Sequence, residues 1–137
     1  MILADTSAWV EFDRATGSPV DLRLAHLISR SRSLAVTEPV MAEVCAGART
    51  DEREAALLRL LGRCRLLSFD AGADFDAAVG IYRRCRKAGV TPRGLIDCMI
   101  ASVALRTGAS LLASDSDLVR IADVIPLRLD EATPHLA

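Results

Sequence analysis

The sequence predicts an α/β fold in which helices cover both faces of a parallel sheet. Two observations carry that reading. Short apolar runs recur along the 137 residues, each too brief for a helix and too uniformly apolar for a strand with one wet face. Between them lie helix-length segments with an apolar repeat near 3.6 residues, and such alternation places strands side by side with crossover helices.

In order, residues 1–4 read as the first strand, with a helix starting at Thr6 or Ser7. Gly17-Ser18-Pro19 breaks the chain before a second helical stretch at about 21–31, and residues 34–37 form the next strand. Pro39 suits the first turn of a helix that closes near Gly47. Residues 51–64 follow as an amphipathic helix carrying Leu57, Leu58, Leu60 and Leu61, then a short strand at 66–69. Residues 73–88 form a long helix closed by Gly89. Thr91-Pro92-Arg93-Gly94 leads into a helix containing Asp97 and closed by Gly108. A buried strand at 110–114, a short helix at 117–122 and a last strand at 125–129 complete the pattern, and the tail after Glu131 is expected to fray. With no repeat or linker, residues 1–137 are expected to form one domain.

Hydrophobic residues make up 51% of the chain and aromatics only 4%, so the core must be aliphatic. No apolar run approaches the roughly 20 residues that span a bilayer, and no basic leader precedes a long apolar segment, so a cytoplasmic protein is expected. Cys45, Cys64, Cys85 and Cys98 include no C-x-x-C pair and read as reduced core or helix residues. The net charge of -1 hides a division of sign. Arginines gather at Arg30, Arg32 and Arg93 and in Arg83-Arg84-Cys85-Arg86-Lys87. That last cluster fits a solvated helix end, the alternative being a rim that grips a polyanion.

Five acids break patterns that otherwise predict burial. Asp5 and Asp115 each close an apolar run, where a strand would leave the sheet, and ligands bind at that edge of open parallel sheets. Asp97 shares a helical face with Ile100, Ala101 and Ala104, and Glu43 has Pro39, Val40, Ala46 and Gly47 as its neighbours at three and four residues, so both point inward. Asp117 follows Asp115 by two positions. Removing a carboxylate from water costs several kcal/mol and clustered carboxylates repel, penalties that a shared divalent cation relieves. An all-oxygen set suits Mg²⁺ or Mn²⁺, and His26 and His135 lie near none of these acids in sequence, which disfavours zinc.

The segments Ile2-Leu3-Ala4-Asp5-Thr6-Ser7-Ala8, Glu38-Pro39-Val40-Met41-Ala42-Glu43-Val44, Asp97-Cys98-Met99-Ile100-Ala101 and Ser114-Asp115-Ser116-Asp117-Leu118 together resemble the PIN-domain ribonucleases, most nearly the VapC toxins of type II toxin-antitoxin systems. The resemblance implies a three-layer α/β/α sandwich with a parallel sheet of four or five strands. It also implies Mg²⁺- or Mn²⁺-dependent cleavage of RNA, a homodimer and a cognate VapB-type antitoxin. Asp5, Glu43, Asp97 and Asp115 fall on the family's acidic positions, Asp117 on a further acid, and Thr6 or Ser7 on the hydroxyl that steadies the first carboxylate. Leu118 departs from the pattern, which often has an aromatic there, and that puts the local packing in question.

Carboxylate-held metal suits phosphodiester hydrolysis because it lowers the pKa of bound water, acts as a Lewis acid and orients the reactants. Asp5 and Asp97 are expected as direct ligands, with Glu43, Asp115 and Asp117 acting through water. Simpler roles stand beside these: Asp5, Asp117, Thr6 or Ser7 as helix caps, Asp115 as a turn residue, Arg93 as an ion-pair partner for Asp97. Three other functions compete: an aspartyl phosphatase, disfavoured by Ser7 where its second acid belongs; a PIN nuclease of RNA maturation without an antitoxin; and a PIN-like module that binds without cutting.

Overall fold

A computed structural model describes residues 1–30 and 32–134 of the chain; Ser31, the expected end of the second helix, and His135 lie outside the described residues. Among the described residues the apolar runs form four strands, β1 (Ile2–Ala4), β2 (Leu34–Val36), β3 (Arg65–Leu66) and β4 (Ser110–Leu112). They lie in the order β3-β2-β1-β4, and every pairing is parallel. Leu3 sits opposite Ala35 on one side and Leu111 on the other. Neighbouring strand residues point to opposite faces, and Leu3 and Ala4 are both fully buried, so helices cover both faces. The covering helices are α1 (Thr6–Asp13), α2 (Pro19–Arg30), α3 (Glu38–Ala46), α4 (Asp51–Leu61), α5 (Ala71–Lys87), α6 (Leu95–Thr107) and α7 (Ser116–Val124). This is the expected α/β sandwich.

Most differences from expectation concern where strands stop. No fifth strand forms over 125–129. Pro126 has no N–H to give a ladder, and the segment makes only one bridge, Leu129 to Leu111, on the outer edge of β4. β3 ends at Leu66 because the Glu38 carboxylate takes the Phe69 N–H at 2.8 Å and draws the chain off the sheet. β4 stops at Leu112 because side chains accept the next two N–H groups, Thr133 Oγ1 from Ala113 and Ser7 Oγ from Ser114. The tail does not fray directly after Glu131. Thr133 is buried and donates its hydroxyl to the Leu111 carbonyl.

Helix ends follow local chemistry. Thr50 and Asp70 cap α4 and α5 with their side chains, and Gly108, at φ 74°, ends α6 in the left-handed region that glycine tolerates. Several helix ends differ from expectation by one to three residues, α2 starting at Pro19 and α4 ending at Leu61. The buried core is aliphatic around a single tryptophan, Trp9, and includes Leu3, Leu24, Leu61, Ile100 and Leu111. Leu118 is fully buried in it, so aliphatic packing fills that position without the aromatic. All four cysteines are free thiols. No helix among the described residues is long and apolar enough to cross a membrane.

α5 and α6 are joined by a polar network. Asp74 is buried and accepts from Ser102 Oγ at 2.7 Å and from the Arg106 guanidinium, with Nη2 at 2.8 Å. Burial alone would push the Asp74 carboxyl up. The Arg106 guanidinium, a backbone N–H at Asp70 and the Ser102 hydroxyl outweigh it and hold the carboxyl below its ordinary range.

Candidate metal centre

In a parallel sheet all carboxyl ends lie along one edge. From β1 the chain goes to β2 on one side, while β4 lies on the other, so the strand order reverses at β1 and a crevice opens above the ends of β1 and β4. Asp5 follows β1 directly, and Asp115 lies three residues beyond β4. The first turn of α6 adds Asp97 and α3 adds Glu43. These four acids, with Thr6 and Ser7, line one cavity of about 410 Å³. Acids from four separate segments therefore converge.

The two oxygens of Asp5 have different surroundings. Oδ2 accepts from the Ser7 N–H at 3.0 Å and the Ser7 hydroxyl at 2.7 Å, so Asp5 itself is the cap of α1, and neither Thr6 nor Ser7 fills that role. Oδ1 is buried with no hydrogen-bond partner. Burial, only partly offset by Ser7, pushes the Asp5 carboxyl up to about 6. A buried carboxylate oxygen without a donor is costly unless something outside the chain satisfies it.

The neighbouring hydroxyls divide the work. Ser7 holds Asp5 and also accepts the Ser114 N–H at 2.8 Å, tying the end of β1 to the segment after β4. Thr6 donates to Glu43 Oε1 at 2.6 Å, fixing an acid 37 positions away.

Asp97 projects from a helix whose Ile100, Ala101 and Ala104 are buried, as its spacing predicted. It has neither a hydrogen-bond nor an ion-pair partner among the described residues. Burial, and then the charges of Asp5, Asp115, Asp117 and Glu43, push its carboxyl up to about 7. Arg93, the candidate in the alternative reading of Asp97 as an ion-paired acid, pairs elsewhere. Its Nε donates to Asp117 Oδ2 at 2.8 Å, and its Nη2 lies 3.5 Å from Asp115 Oδ2. The reason is local: the Arg93 backbone N–H also donates to Asp117 Oδ2, fixing the loop before α6 against α7.

Asp115, not Asp117, caps α7. Its Oδ1 accepts from the Asp117 N–H at 2.7 Å. Asp117 lies within the first helical turn and is buried. Burial would raise its carboxyl, but Arg93 outweighs burial and lowers it. Oxygens of Asp97, Asp115 and Asp117 lie within 4.8 Å of one another. With oxygen donors only, Asp5 Oδ1 unpartnered and Asp97 unpaired, the residues fit a hard divalent cation.

Two cavity residues went unrecognised in the sequence. Glu11 Oε1 accepts from Ser114 Oγ at 3.1 Å, and Arg14 lines the wall beside it. Both share a helical face with Ser7, at spacings of four and seven, and that periodicity was the available signal.

The chain has clear relatives. The sequence model of the PIN domain matches residues 2–124. VapC ribonuclease Mb1587 of Mycobacterium bovis and ribonuclease VapC11 of Mycobacterium tuberculosis are each 43% identical to it over 129 residues, 93% of this chain and 96% of theirs. Among solved structures, VapBC2 from Rickettsia felis, bound to a DNA fragment from its promoter, superposes with a TM-score of 0.74 at 21% identity, covering 95% of this chain and 98% of the other. The sarcin-ricin loop cleaving toxin VapC20 of Mycobacterium tuberculosis gives a TM-score of 0.65 at 20% identity, covering 93% and 99%. Those two likenesses concern the fold, whereas the family match and the 43% identity concern descent: the chain belongs to the PIN-domain family, in its VapC group.

Proposed function

We propose that the chain is a Mg²⁺- or Mn²⁺-dependent endoribonuclease and the toxin of a VapB–VapC pair. The observation that carries this reading is the convergence of Asp5, Glu43, Asp97 and Asp115 on one cavity, with Asp5 Oδ1 buried and unpartnered. Asp5 and Asp97 would hold the cation directly, with Glu43, Asp115 and Asp117 contributing through water. A bound divalent ion lowers the pKa of water and acts as a Lewis acid toward a phosphodiester. The chain's own part is orientation and proton handling. Ser7 holds Asp5 by Oδ2 and leaves Oδ1 free for the cation, Thr6 takes Glu43 Oε1 and leaves Oε2 as the oxygen that would accept a proton from the attacking water, and Arg93 holds the Asp117 carboxyl below its ordinary range. No histidine lines the cavity among the described residues, which leaves this proton to a carboxylate.

The relatives' names support RNA as substrate, and the likeness to the VapBC2 complex supports a VapB-type antitoxin as partner. A homodimer is the corresponding expectation for the toxin. Incubating purified protein with labelled RNA tests the activity. Cleavage should require Mg²⁺, stop with EDTA and fall by on the order of 10²-fold or more in Asp5→Asn and Asp97→Asn. Full activity in both variants would refute the mechanism.

A further inference from the structure

An acidic cavity repels the phosphodiester it is proposed to cleave, so the chain needs a cation that is not already engaged by a carboxylate. Two arginines come into question. Arg93 is occupied by Asp117 and Asp115, and beside Asp117 it holds that carboxyl below its ordinary range. Arg14 makes no ion pair among the described residues, its side chain is exposed, and it lines the same cavity as Asp5, Glu43 and Asp97. Among the described residues it is the one cationic residue that lines that cavity. Arg83 and Arg86, at the end of α5, line different cavities.

We propose that Arg14 is the substrate-phosphate clamp of this site, its guanidinium gripping the non-bridging oxygens of the phosphodiester held over the carboxylates. Placement supports this in three ways. Arg14 is the residue that ends α1, and its backbone N–H donates to Val10 and Phe12, so its root is anchored while its side chain remains available. It follows Ser7 by seven residues, two helical turns along the same face, so the helix that Asp5 caps also aims the arginine. The planar fork of a guanidinium matches two phosphate oxygens, which a point charge cannot do. A charge complementing the carbonyls at the end of α1 would explain a cation there. It would not explain one on the cavity wall.

Arg14 also lines a second groove of about 670 Å³ between α1, α3 and α4, which shares Val10 and Glu43 with the acidic cavity. Arg14 thus stands where the two spaces meet. A nucleic acid strand entering the acidic cavity from the groove would present its phosphate to Arg14 there.

This inference rests on the ribonuclease reading, and the test separates the two. Initial rates on a labelled random-sequence RNA pool in Mg²⁺ are compared for the wild type, Arg14→Ala and Arg14→Lys. Mn²⁺ affinity is measured by calorimetry and RNA binding by anisotropy in EDTA. Arg14→Ala should lose kcat/KM by on the order of 10²-fold. The slope of log affinity for RNA against log salt should become shallower by about one. Mn²⁺ affinity and melting temperature should stay unchanged, and Arg14→Lys should recover part of the binding but little of the rate. If the wild type cleaves and Arg14→Ala cleaves equally well, the clamp is wrong and the nuclease stands. Loss of Mn²⁺ affinity or of folding in parallel with activity would also overturn the clamp, by showing a structural role. A wild type that cuts no RNA in Mg²⁺ would remove both.

Discussion

Thr6 and Ser7 are adjacent and chemically alike, yet each serves a different acid. Among the described residues the Thr6 hydroxyl makes one hydrogen bond, to Glu43 at 2.6 Å. Removing the hydroxyl with Thr6→Val should lower activity or metal affinity by roughly 10- to 100-fold, as loss of a residue that orients a ligand does, with little change in melting temperature. Calorimetric titration with Mn²⁺ checks this. Ser7 joins Asp5 Oδ2 to the Ser114 N–H, so Ser7→Ala leaves both groups without that partner and should cost about 1–3 kcal/mol in urea denaturation. Sequence alone could not separate the two hydroxyls, because the partners lie 37 and 107 positions away. The same limit explains Arg93. Its proximity to Asp97 in the chain suggested one pair, while the fold brought Asp117, 24 positions on, against its backbone and side chain together.

At the scale of elements, α5 and α6 depend on the buried Asp74. Arg106→Ala would leave that carboxylate with Ser102 and a backbone N–H alone. For a fully buried pair the loss would be about 3–5 kcal/mol; because the Arg106 side chain is 38% exposed, about 2 kcal/mol is expected here. The pH dependence follows from the direction of the shift. Asp74 is held below its ordinary value in the fold, so the unfolded chain takes up its proton first as pH falls. The pair's contribution is therefore present above the unfolded carboxyl value near 4, and fades as pH drops through the lower folded value. Urea midpoints of the wild type and Arg106→Ala should accordingly converge between about pH 5 and pH 3. A constant gap would show that Arg106 acts by packing alone.

Elements were legible in the sequence where periodicity was long, as in α5 and α6, and least so where a strand ends. β1, β2 and β4 are each only three residues long, and side chains from elsewhere, Glu38 and Thr133 among them, decide where the chain leaves the ladder. The strand expected at 125–129 failed for a reason visible in the sequence, Pro126.

Across the whole molecule, the acids were legible because each contradicted an apolar pattern, and their convergence follows from parallel strands that all end on one side. Glu11 and Arg14 contradicted nothing, being polar residues on a helix flank; their spacing from Ser7 was the one signal, and the assembled cavity gives it meaning. The fold thus concentrates negative charge at one edge, a costly arrangement that a divalent ion would relieve. Binding of that ion is the most direct test, since it needs neither the RNA target nor the antitoxin. Mn²⁺ titrated into the purified protein and followed by electron paramagnetic resonance should bind, be displaced by Mg²⁺, and be lost in Asp5→Asn combined with Asp97→Asn, while Arg83→Ala binds as the wild type does. A folded wild type that takes up no Mn²⁺, or a double variant that binds it equally well, would contradict the account.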